Sequence, residues 1–147
     1  MNDPLTAAEA FAAIPLAAVC CDQHFSKDEA WVIREQLLGR SAYRAMEPYA
    51  FGLLISRLLK RFREDSWQGL IAAAAPALTP AQQETAFGLA CQLIHCDRDV
   101  SEPEREFLIA LSGILDLSEA RASQIVEVCA LLHRDADFGP DLSPDPV

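Results

Sequence analysis

One nine-residue stretch occurs twice, 75 positions apart and without a gap: Cys21-Asp22-Gln23-His24-Phe25-Ser26-Lys27-Asp28-Glu29 and Cys96-Asp97-Arg98-Asp99-Val100-Ser101-Glu102-Pro103-Glu104. Cys, Asp, Ser and Glu recur in register, His24 stands where Asp99 stands, and Phe25 where Val100 stands. A duplication constrains architecture before any single element does. Ser-x-x-Glu behind an apolar residue is a helix start, because hydroxyl and carboxylate satisfy free backbone N–H groups while the apolar residue staples the entry. Each copy therefore reads as one helix ending, a short turn and the next helix beginning. The chain reads as two related helix–turn–helix units, each with acidic side chains at its turn.

Alanine and leucine dominate and period-two alternation is hard to find, so the expected class is all-α, a compact bundle of about seven helices. Thr6 to Glu9 is a capping box for a first helix with Phe11, Ile14, Ala18 and Cys21 on one face; Pro15 is expected to kink or divide it. The helix after Ser26 turns Ala30, Ile33 and Leu37 inward and stops near Gly39. Residues 40–48 are ambiguous. A helix over 49–64 buries Phe51, Leu54, Leu58 and Phe62 and carries Arg57, Lys60, Arg61 and Arg63 on its other face. Ser66 is read as the cap of a short apolar helix ending near Pro76, and Thr79-Pro80-Ala81-Gln82 as the start of the next, with Phe87, Ala90, Cys91 and Ile94 inward. Two more helices follow Ser101 and Ser118. Their expected inner faces are Phe107, Ala110, Leu111 and Ile114, then Ile125, Val128, Cys129 and Leu132. Residues 1–138 are read as a single domain and 139–147 as a flexible tail rich in Pro and Asp.

The net charge of −10 is uneven: residues 1–75 hold 8 basic and 9 acidic groups, residues 76–147 hold 4 and 13. That sign argues against a nucleic-acid partner and suits cations or a basic partner, the plainer account being solubility. Five cysteines (Cys20, Cys21, Cys91, Cys96, Cys129), none in a Cys-x-x-Cys pair, make a disulfide framework a poor expectation. A reducing cytoplasm fits them. No basic residue precedes the first apolar run, so it is a poor signal peptide, and the uncharged apolar run 69–78 is about half a membrane span.

The capping role accounts for Ser26, Glu29, Ser101 and Glu104. It does not account for Asp22 and Asp97 at helix carboxyl ends, where negative charge is unfavourable by roughly 0.3–1 kcal/mol. A local turn hydrogen bond or a bound divalent cation would offset this. The candidate ligands are Asp22, His24 and Glu29 in one copy and Asp97, Asp99 and Glu104 in the other. The all-carboxylate copy suits Ca²⁺, Mg²⁺ or Mn²⁺, and the copy with His24 could recruit Zn²⁺. Cys21 and Cys96 fall on core faces and read as packed rather than ligating. His95 reads as a helix-end residue, and His133 with Asp135 and Asp137 first as a solvated helix end, the alternative being that the last helix returns near the first motif and the cluster joins a site. No nucleophile–base arrangement or phosphate-holding glycine loop is recognisable, so no catalytic residue is assigned. The basic face at Arg57, Lys60, Arg61 and Arg63 is by default solvated; it could meet anionic lipid, an acidic partner or the chain's own acidic tail.

The repeated pattern Asp-x-x-(apolar)-Ser-x-x-Glu, following an alanine-rich helix and preceding an amphipathic one such as 102–117, resembles the TerB-like tellurite-resistance family over roughly residues 6–138. The resemblance implies an all-helical bundle and divalent-metal ligands at Asp22, Glu29, Asp97, Asp99 and Glu104. It also implies a role in resistance to tellurite and other stresses, with an unidentified protein partner in a membrane-associated assembly. Gln23 and Arg98 stand where many members have glycine, and His24 replaces a small or acidic residue. The leading expectation is a non-catalytic metal-binding stress-response module. The alternatives are a metal-free interaction domain and a small metal-dependent enzyme.

Overall fold

A computed structural model describes residues 4–21, 27–95 and 100–134, with the backbone course alone for 27–32. The described residues form seven α-helices and no strand: α1 (Ala7–Cys20), α2 (Lys27–Leu38), α3 (Ser41–Arg44), α4 (Pro48–Ala74), α5 (Pro80–Ile94), α6 (Glu102–Ile114) and α7 (Glu119–His133), with a 3₁₀ turn at Ala75–Ala77. The all-α expectation holds. Residues 22–26 of the first copy and 96–99 of the second fall outside the described residues.

The bundle is built around α1. Glu9 is its one charged residue, and every side chain from Ala12 to Ala18 is buried. A helix apolar all round has no solvent face and must lie inside. It packs against both α4 and α5. Its start is the expected box, with Thr6 N–H donating to Glu9 Oε1 at 3.0 Å and Glu9 N–H to Thr6 Oγ1 at 3.1 Å. Pro15 neither divides nor ends the helix, which runs on to Cys20. Burial on both flanks outweighs a proline cost of about 3 kcal/mol.

Ile33 and Leu37 of α2 are buried as expected, whereas Ser26 and the side chains of Ala30 and Trp31 lie outside the described residues. The ambiguous stretch 40–48 contains the short α3, pinned by Tyr43. Its hydroxyl donates to Ala8 O at 2.6 Å and its ring meets Phe51 edge-on at 6.3 Å.

In α4, Phe51, Leu54 and Leu58 are buried and Phe62 is half-buried. Of the basic face, Arg57, Lys60 and Arg63 are exposed, but Arg61 is half-buried with Nε 4.0 Å from Asp65 Oδ2. The helix boundary expected at Ser66 appears as a break: Ser66 has φ 66°, ψ 172° between two helical segments. That region is essentially glycine's, at a cost of about 1–3 kcal/mol for other residues. The break also brings Gly69 so close to Asp65 that a Cβ there would lie 2.8 Å from Asp65 Cβ, while a Cβ at Gly52 meets nothing within 4 Å. Urea unfolding of three variants should therefore split by sign. Ser66→Gly should gain about 1 kcal/mol, Gly52→Ala should gain about 0.5–1 kcal/mol, and Gly69→Ala should lose about 1–3 kcal/mol. A stabilised Gly69→Ala would contradict the close approach.

The starts of α5, α6 and α7 are the expected caps at Thr79, Ser101 and Ser118. In α6, Ala110, expected inside, is exposed, and Leu108 is buried. The helix ends in a Schellman turn, Leu117 N–H donating to Ser112 O at 3.1 Å and Asp116 N–H to Gly113 O at 3.3 Å, with Asp116 at φ 57°. In α7, Ala122 and Cys129 are buried, but Val128 and Leu132, expected inside, are 55% and 68% exposed. The reason is position: α7 lies at the edge, packed mainly on α5.

Candidate functional site

The described side chains with most chemistry gather where α5 and α7 end. His95 is the one polar side chain buried in the described core, at 8% exposure. Its Nδ1 lies 2.8 Å from Cys91 O, one turn back. His133 repeats the arrangement on α7, with Nδ1 2.9 Å from Cys129 O. The two imidazole centroids are 6.5 Å apart. A carbonyl only accepts, so in the neutral rings each Nδ1 holds the proton and each Nε2 the lone pair. Ligating histidines are held the same way, the second nitrogen tied to a carbonyl or carboxylate. The carboxyl ends of two helices also concentrate partial negative charge, which favours a cation.

One turn below, the Cys91 and Cys129 thiols are neighbours, and the Cys129 S–H is directed at Gly88 O, 4.0 Å away. Burial first, and then the neighbouring Cys129, pushes the Cys91 thiol well up; burial also raises Cys129. Both are protonated at neutral pH and therefore poor nucleophiles. Cys21 is half-buried with its S–H directed at Ala18 O, 3.2 Å away, in keeping with a packed role. His133 is not the solvated helix end the sequence suggests: it is half-buried against His95. The overlooked signal is spacing. Cys91-x-x-x-His95 and Cys129-x-x-x-His133 each set Cys and His one turn apart on one face.

Of the six residues read as metal ligands, Asp22, His24, Asp97 and Asp99 lie outside the described residues, as does the side chain of Glu29 in α2. Glu104 is described and half-buried. Its Oε1 accepts the Ser101 N–H at 2.9 Å, so the capping role is real and one carboxylate oxygen remains for another partner. Among the described residues no group of three or more His, Cys, Asp or Glu stands ready to hold an ion. Cys96, Asp135 and Asp137 also lie outside them.

A second feature is a groove of about 630 Å³ between α6 and α7, floored by Phe87 of α5 and walled by Leu108, Ile109, Leu117, Ala122 and Val126. It exists because α6 and α7 lean on α5 rather than on each other. No described helix is long and apolar enough to cross a membrane. No family model matches the chain, and no curated protein or solved structure does.

Proposed function

We propose that the chain is a non-catalytic, TerB-like stress-response module of the tellurite-resistance type that binds a divalent cation at its acidic turns. In this reading Asp97, Asp99 and Glu104 are the donors at the turn between α5 and α6, and Asp22, His24 and Glu29 those between α1 and α2. Ca²⁺, Mg²⁺ and Mn²⁺ match the carboxylates and Zn²⁺ the imidazole. The observation that carries it is the pair of tethered imidazoles at the carboxyl ends of α5 and α7, with His95 two residues before Asp97. Glu104 supports the reading only in part, since one of its oxygens is engaged as a cap.

Calorimetric titration of the chelator-treated chain with each of the four ions tests this reading. The expected result is heat from at least one ion, absent in an Asp97→Asn, Asp99→Asn variant. Loss of that heat in His95→Gln as well would assign the imidazole to the ion. Equal heats in wild type and the aspartate variant, or none for any ion, would remove the reading.

A metal-free interaction domain acting in a membrane-associated complex is the second reading. It is favoured by Val128, Leu131 and Leu132, which leave three large aliphatic side chains more than half exposed along the last two turns of α7.

A further inference from the structure

Two surfaces of this chain, on different helices, are complementary. The groove between α6 and α7 is apolar within and acidic at its rim. Ile109 on its wall is 70% exposed. Arg105 at the rim is engaged by Glu102, 3.6 Å away, and Arg121 nearby by Glu84, with Nε–Oε1 2.8 Å. Glu119 and Glu127, which line the groove, have no ion partner among the described residues. The groove therefore presents uncompensated negative charge around an apolar floor.

The outer face of α4 has the opposite character. Tyr49 is 77% exposed and Leu53 45%, although both are large apolar residues. Ser56, Lys60 and Arg63 continue the line, all exposed, and neither Lys60 nor Arg63 has an ion partner among the described residues. The spacing from Tyr49 to Arg63 runs 4, 3, 4, 3, the alternation that keeps one helix seam facing a partner. It gives a stripe about 20 Å long, apolar at its amino end and basic at its carboxyl end.

We propose that the α6–α7 groove receives the Tyr49–Arg63 stripe of a second copy of this chain. Tyr49 and Leu53 fill the apolar floor, and Lys60 and Arg63 meet Glu119 and Glu127. An amphipathic helix entering a cleft between two splayed helices is a general recognition mode. Groove and stripe are different surfaces, so the contact is head-to-tail: the copy whose groove is filled keeps its stripe free and the copy whose stripe is docked keeps its groove free, and such contacts build rings or open chains. The proposal is independent of cation binding.

Sedimentation of the full chain at rising concentration tests it, with Leu53→Asp and Ile109→Asp as variants. Both positions are exposed, so both variants should keep wild-type helicity and melting. The wild type should form species larger than a dimer, partly dispersed by salt. Each variant alone should associate more weakly by about tenfold or more. Mixed in equal amounts, they should form a heterodimer and nothing larger, because one intact groove and one intact stripe remain. A wild-type chain that stays monomeric overturns the proposal and leaves the groove to a foreign basic helix. Association untouched by either substitution, or a mixture that stays monomeric, also overturns it.

Discussion

Truncation of Phe107 to alanine is expected to cost about 3–5 kcal/mol, the usual range for deleting a buried aromatic ring. Phe107 is 1% exposed, and its ring lies 4.7 Å from that of Trp67 at an interplanar angle of 64°. Edge-to-face contact at that distance adds to the area buried. Trp67 directly follows the break at Ser66, so the ring pair fastens α6 to the second segment of α4. The variant should melt about 10 °C or more below the wild type, and native Trp fluorescence should change because Trp67 loses its neighbour. Glu64→Ala, exposed on α4 and outside the Tyr49–Arg63 stripe, is the control and should fall within about 0.5 kcal/mol of wild type. A Phe107→Ala loss no larger than that control would mean that α6 is not docked through this ring.

The second large effect lies in α1. Leu16→Ala is expected to cost about 2–5 kcal/mol through the cavity it leaves, and Ala17→Leu about 1–3 kcal/mol through overpacking. Both residues are fully buried in a helix held between α4 and α5. A helix on the surface of a bundle would have an outer face where substitutions are neutral. Between Ala12 and Ala18 there is none, so Ala12→Leu and Ala13→Leu should also destabilise in denaturant melts. A neutral result at any of these positions would place α1 at the surface.

Local chemistry was the legible part of this fold. The caps at Thr6, Thr79, Ser101 and Ser118 were readable because each needs only a hydroxyl, or a hydroxyl and a carboxylate or amide three residues later. The boundary at Ser66 was readable for a related reason, although its left-handed φ was not. What periodicity could not supply was the neighbour covering each apolar face. Val128 and Leu132 carry a helical pattern as regular as that of α6, yet α7 sits at an edge where nothing described covers them. Pro15 does not divide α1 for the converse reason: its propensity cost is local and the burial that overrides it is tertiary. The meeting of His95 with His133 joins positions 38 residues apart. Only the shared Cys-x-x-x-His spacing hinted at it.

Thermal unfolding of the chelator-treated chain, with Ca²⁺, Mg²⁺, Mn²⁺ and Zn²⁺ added separately, tests the cation claim most directly. An Asp97→Ala, Asp99→Ala variant runs alongside. An ion at about 100 times its dissociation constant adds about 2.7 kcal/mol, which for a domain of this size is a rise of about 5–10 °C. The account predicts that rise for at least one of the four ions and its loss in the variant. No rise for any ion would contradict it, leaving the repeated motif as a pair of helix starts and the chain as an interaction domain.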